Sequence, residues 1–178
     1  MKLKSTFNYN QLLAVFLYLT LVFGFYIDEN LNLGAIGDWE NTDLPVINDL
    51  SLNIKKTLLD YESYGHRHSP VYLIFLSLFK KVGLSIENIR FVHLNLSLLL
   101  IVYFYKCLTF KFDKVEKNIL LLLSLTIFLS PTFRSLAIWP SSRLIGLIFF
   151  VISTYEFLKF LDDPKKIYMW KNTIFLII

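Results

Sequence analysis

The sequence predicts an all-α fold, a polytopic transmembrane helix bundle with a long outer loop that contains juxtamembrane amphipathic helices. Three observations lead there. Of 178 residues, 55% are hydrophobic and the mean hydropathy is +0.53, more apolar surface than a soluble domain of this size can bury. The apolar residues come in blocks with charged punctuation between them, as membrane spans are written. Phe (17) and Tyr (10) are abundant, as expected where rings fill a bundle and sit at interfaces. The net charge of +4 does not point to nucleic acid, because the lysines gather at the ends of the apolar blocks, where they orient spans. A single cysteine, Cys107, excludes an internal disulfide framework.

The first span is expected at about residues 11–27, behind Lys2 and Lys4. A signal peptide is the rival reading, but Phe25-Tyr26-Ile27-Asp28-Glu29 lacks a small-x-small cleavage site, so the segment reads as an uncleaved span. The outer loop then covers residues 28–90. It opens with Gly34, Gly37, Pro45 and five acids. Ile47, Leu50, Ile54, Leu58 and Tyr61 recur at steps of three or four, which predicts one amphipathic helix over residues 46–61, lying in the interface. Residues 70–79 are apolar but fall short of the ~20 needed to cross. Pro70 suits a first helical turn, so this piece reads as a re-entrant or juxtamembrane helix.

Further spans are expected at about residues 91–108, 118–132 and 144–160. A partial span at 167–178 begins after the polar turn Asp162-Asp163-Pro164-Lys165-Lys166. Because that span stops half made, residues 1–178 read as the N-terminal part of one transmembrane domain, expected to be inactive alone. With the N-terminus inside, inner segments hold ten Lys and five acids, and outer ones eight Lys/Arg and nine acids. The positive-inside rule therefore places the N-terminus in the cytoplasm and the long loop outside, in the plasma or inner membrane of a bacterium or facing the lumen in a eukaryote.

Several residues could carry chemistry. Asp28 and Glu29 stand where the first span leaves the membrane; partial desolvation there suits a carboxylate to taking a proton from a hydroxyl. The competing reading is that acids simply terminate an outer span end. Asp38, Glu40 and Asp43 could hold a divalent cation through oxygens, but no calcium-loop pattern is present, and they read as solvated loop acids. His66, Arg67 and His68 precede a short membrane helix whose N-terminus would add to their attraction for phosphate. An interfacial anchor touching lipid headgroups is the alternative, and the His-x-His pair lacks further ligands for zinc. Arg134 and Arg143 bracket an outer turn, as anion partners or as snorkelling side chains. His93, within the second full span, reads as a satisfied packing residue. No metal site is assigned.

Taken in order, these pieces resemble the start of a membrane-embedded glycosyltransferase of the GT-C class, similar to dolichyl-phosphate-mannose–protein mannosyltransferases and their bacterial counterparts. Asp28-Glu29 matches the acidic loop opening and His68-Ser69-Pro70-Val71-Tyr72 the lead-in to a short helix. Gly83, Arg90 and Ser130-Pro131 match the glycine, the arginine and the Ser-Pro closing the third span. Ser69 replaces one proline of the pattern, and Pro140-Ser141-Ser142-Arg143 lacks its usual acid. The resemblance covers roughly residues 23–160. It implies sugar transfer from a polyprenyl-phosphate donor to an acceptor hydroxyl at the outer face. Asp28 would be the base with Glu29 beside it, and His66, Arg67, His68 and Arg143 would offset charge on the lipid phosphate. The partners implied are the lipid-linked donor and membrane lipids, with no nucleic acid; no cofactor is assigned, a divalent cation is left open, and oligomeric state is not indicated. A polysaccharide polymerase or ligase would share the donor class but carry its large loop late in the chain. A transporter fragment or membrane scaffold is the non-enzymatic reading; transporters usually place polar residues at the bilayer midplane, and these spans are nearly free of charge there.

Overall fold

The computed structural model describes residues 9–31, 33–66 and 68–177, and every regular element among them is helical. α1 (Tyr9–Tyr26), α6 (Ile86–Lys111) and α9 (Ser142–Asp162) are each long and apolar enough to cross a membrane. A fourth crossing exists if two segments count as one, α7 (Lys117–Leu125) with its 3-10 extension Thr126–Leu129, and α8 (Pro131–Ile138). The pair bends by 69°. A sequence this apolar, with three such helices, is that of a membrane protein. α10 (Lys166–Ile177) folds back along α9. On α1, Leu12, Phe16, Leu19 and Phe23 remain exposed.

The expected third span, 118–132, is broken, and its proline is the reason. Pro131 excludes its predecessor from helical backbone. Ser130 is accordingly extended (φ −73°, ψ 118°), and its hydroxyl caps the next helix by accepting the amide of Phe133. α6 and α9 outrun the expected span limits by a few residues at both ends and start after Ser85 and Ser141, which serve as their caps.

Residues between α1 and α6 form a folded unit. α2 (Leu33–Asp38) runs through a wide π-turn, Trp39–Asp43, into α3 (Leu44–Leu52). α4 (Ile54–Leu59), a 3-10 turn (Tyr61–Tyr64) and α5 (Val71–Lys81) follow. The single helix expected over 46–61 is therefore two. Asn53 leaves the helix (φ −152°) and its side-chain oxygen accepts the Lys56 amide, capping α4 instead of continuing α3. α3 packs on α5. Val46, Ile47 and Leu50 on one side, and Leu73 and Leu76 on the other, are fully buried, each worth about 1.5–3 kcal/mol on removal from water.

Two contacts between residues distant in sequence register α1. At its start the Asn10 side chain donates to the Asn118 carbonyl (3.4 Å). At its end Asp28 meets Arg90, at the beginning of α6, at 2.8 Å. The folded unit and the α8–α9 turn thus lie at the same end of the helices.

Candidate functional site

At that end two cavities meet. The larger, about 400 Å³, is an apolar cleft between Val71, Tyr72 and Phe75 of α5, Leu96 and Leu99 of α6, and Ile145, Ile148, Phe149 and Ile152 of α9. The smaller, about 240 Å³, is polar and faced by Asp38, Thr42, Asp43, His66 and Ser141. His68, Ser142 and Arg143 line both. A chain-like apolar ligand with a polar head would find both halves of its environment here.

Local sequence explains how each wall forms. Gly65 stands at φ 62°, the left-handed conformation that glycine adopts without steric cost, and so ends the 3-10 turn and redirects the chain. The Tyr61 hydroxyl donates to the His68 carbonyl (2.9 Å) and Tyr64 donates to Asp49 (2.6 Å), pinning the segment that carries both histidines. Across the cavity α9 begins. Ser141 accepts the Arg143 amide, and the first turn presents Ser142 and Arg143 to both cavities. The partial positive charge of that 21-residue helix start adds to the Arg143 guanidinium in attracting an anion.

The polar cavity holds one hydrogen-bonded His–Asp pair and one ion pair. His66 Nε2 lies 2.5 Å from Asp43 Oδ1, with side-chain exposures of 2% and 10%. The His68 amide points at His66 Nδ1 (3.4 Å), which assigns the acceptor role to Nδ1 and leaves Nε2–H to donate to Asp43. Burial pushes the Asp43 carboxyl above its ordinary value; the His66 hydrogen bond opposes this, and the Asp38 charge reinforces it. The other pair is Arg143 Nη2–Asp38 Oδ2 at 3.0 Å, with both side chains more than half exposed. Asp43 is therefore no solvated loop acid, as its spacing suggested; the π-turn aims it inward, whereas Asp38 and Glu40 are exposed.

The sequence-predicted site residues divide. His66, His68 and Arg143 line the cavities. Arg67 lies outside the described residues. Asp28 and Glu29 line neither cavity. Asp28, at φ 52°, accepts from Arg90, whose guanidinium lies 3.7 Å over the Trp139 ring and 5.0 Å from the Phe25 ring. Glu29 accepts two hydrogen bonds from Arg134 and its carbonyl accepts the Trp139 indole N–H (3.1 Å). Arg134, expected as an anion partner or a snorkelling side chain, takes this internal carboxylate as its anion. His93 is the packing residue expected. It is fully buried, with Tyr72 donating to Nδ1 and Nε2–H donating to the Leu136 carbonyl (2.8 Å).

Sequence reasoning weighed Asp38 and Asp43 only as oxygen ligands for a cation and read them as solvated loop acids. The one local signal was their spacing: Asp38 and Asp43 stand five apart, which brings them near one face only if the turn between them widens to the π form. Among the described residues no group of three or more His, Cys, Asp or Glu side chains is arranged to hold a metal ion. Comparison with known proteins found no matching family model, no matching curated protein and no matching solved structure.

Proposed function

We propose that this chain carries the donor site of a membrane glycosyltransferase, moving a sugar from a polyprenyl-phosphate donor to an acceptor hydroxyl at the outer membrane face. The observation that carries the reading is the junction of an apolar cleft and a polar cavity at His68, Ser142 and Arg143. In this reading the first prenyl units lie among α5, α6 and α9, the phosphate sits at Arg143 and the start of α9, and the sugar occupies the polar cavity. The order of acidic opening, His-x-Pro-x-Tyr lead-in and later Ser-Pro supports the same class by resemblance.

The chemistry follows from these positions. The acceptor oxygen attacks the anomeric carbon, the bond from that carbon to the phosphate oxygen breaks, and its electron pair leaves with the prenyl phosphate. Asp43 takes the acceptor proton; the His66 N–H orients its carboxylate. A buried carboxyl with a raised pKa is suited to that role. Arg143 and the helix start offset charge on the departing phosphate, at about 2.7–4 kcal/mol per well-aimed donor in comparable sites. Asp28 and Glu29, proposed from sequence as base and neighbour, here fasten the loop to α6 and α8 through Arg90 and Arg134.

Membranes from cells expressing the full-length protein that carries residues 1–178, given radiolabelled polyprenyl-phosphate mannose or glucose, test this. Label is expected to reach an acceptor and to fall by about 10²-fold or more with Asp43→Asn. Equal transfer by membranes lacking the protein would sink the proposal.

A further inference from the structure

One feature of the polar cavity is at odds with a waiting phosphate site: Arg143 is already occupied. Its Nη2 lies 3.0 Å from Asp38 Oδ2, and both side chains are over half exposed, at 58% and 53%. An exposed pair of this kind is weak and readily exchanged. Both partners line the polar cavity, and Arg143 alone of the two also lines the apolar cleft. Asp38 closes α2, while Arg143 stands in the first turn of α9, so the contact bridges two elements and opens by rotation of side chains.

We propose that Asp38 is a stand-in anion, holding Arg143 in place until a phosphate monoester on an apolar chain displaces it. This rests on the phosphate position assigned above and adds what limits affinity there. Binding becomes an exchange of one carboxylate for one phosphate on a single guanidinium. The prenyl monophosphate that remains once the sugar has left carries up to two negative charges at the start of α9 and outcompetes the singly charged Asp38, because charge-assisted contacts strengthen with charge and the helix start favours anions. Without ligand, Asp38 keeps the guanidinium at the junction of the two cavities, where it would otherwise swing into water. The pair thus exacts a small loss of affinity and supplies preorganisation.

The test measures binding alone, with the full chain in lipid nanodiscs and farnesyl monophosphate as probe, against farnesol and inorganic phosphate. Asp38→Asn is expected to tighten farnesyl monophosphate about three- to five-fold, the range of an exposed pair, while Asp38→Glu keeps wild-type affinity. Arg143→Gln is expected to weaken binding and to abolish the gain from Asp38→Asn. Unchanged or weaker binding in Asp38→Asn overturns the proposal. So does an equal gain in the Arg143→Gln background, which would mean general repulsion between charges instead of exchange. Binding of inorganic phosphate as tight as farnesyl monophosphate would deny the cleft a part and overturn the amphiphile assignment. Because no sugar is transferred, a positive result stands even where the glycosyltransferase reading fails; absence of farnesyl monophosphate binding by both wild type and Asp38→Asn removes this proposal together with the phosphate position.

Discussion

The Arg134 guanidinium grips the Glu29 carboxylate along two edges, Nε to Oε1 at 2.6 Å and Nη2 to Oε2 at 2.5 Å. The remaining nitrogen, Nη1, reaches the Thr20 hydroxyl at 3.3 Å, and Nη2 also donates to the Thr20 carbonyl at 3.1 Å. Both charged side chains are 14% exposed. Such a fork-to-fork pair binds the end of α1 to the bent α8. Removing one partner leaves the other charge buried, at about 3–5 kcal/mol. Glu29→Ala and Arg134→Ala are each expected to lower the melting temperature of the detergent-solubilised protein steeply. The double variant should lose less than the sum, since neither charge is then stranded.

Gly24 leaves room for this pair. A Cβ there would collide with the Glu29 carboxylate and come within 2.9 Å of Arg134 Nη2. Gly24→Ala, which favours an ordinary helix by about 1 kcal/mol, is therefore expected to destabilise here. Adding Glu29→Ala should erase most of that penalty. Thermal unfolding of the four-variant set reads the coupling; additive losses would show that the glycine acts independently of the pair.

Tyr72 and His93 give a second buried polar contact, joining α5 to α6, while His93 carries on to the Leu136 carbonyl of α8. Tyr72→Phe keeps the ring and removes only the hydroxyl, leaving His93 Nδ1 buried without a donor. The cost of such an orphaned group is about 1–3 kcal/mol. Since Tyr72 also lines the apolar cleft, the loss of stability should come with weaker binding of prenyl ligands, measurable as separate shifts in unfolding temperature and dissociation constant.

Asp43 gives a pH signature with a definite sign. Burial raises its carboxyl above the ordinary 3.8, so the folded state holds this proton more tightly than the unfolded chain does. Its contribution is fully present below pH 3.8 and is lost as pH rises through the folded value. The melting temperature of wild type relative to Asp43→Asn should therefore fall as pH rises through that window. In the transfer assay the rate should climb over the same window, because only the ionised carboxylate accepts a proton. A wild-type-minus-variant difference that is flat with pH would contradict the burial of Asp43.

How much of this was legible in the sequence varies with the reach of the interaction. Apolar blocks announced α1, α6 and α9 because span length is a local property. The 3–4 spacing of Ile47, Leu50, Ile54 and Leu58 foretold helix, yet neither the break at Asn53, where a capping side chain competed with continued helix, nor that Ile47 and Leu50 would be buried while Leu58 stays exposed. Pro131 was visible, but in a membrane segment a proline can bend a span or end it, and tertiary packing decides which. The pairs Asp28–Arg90 and Glu29–Arg134 join residues 62 and 105 positions apart, and neither spacing nor composition encodes such partners. Asp43 was least legible of all. A carboxylate beside exposed Glu40 looks solvated until the π-turn and the αL glycine at 65 bring His66 onto it.

Gly146 offers a way to close the cleft without disturbing the fold. It lines the apolar cavity in the second turn of α9, and a Cβ built there meets nothing within 4 Å. Gly146→Ala should be tolerated and even stabilising by about 0.5–1 kcal/mol, since glycine is a poor helix residue. Gly146→Leu projects three further carbons into the space proposed for the prenyl chain. Its unfolding temperature should hold at or above wild type while farnesyl monophosphate binding falls at least about tenfold, a loss of about 1.4 kcal/mol. A ligand seated elsewhere would be indifferent to this side chain, so unchanged binding by Gly146→Leu would move the amphiphile out of the α5–α6–α9 cleft.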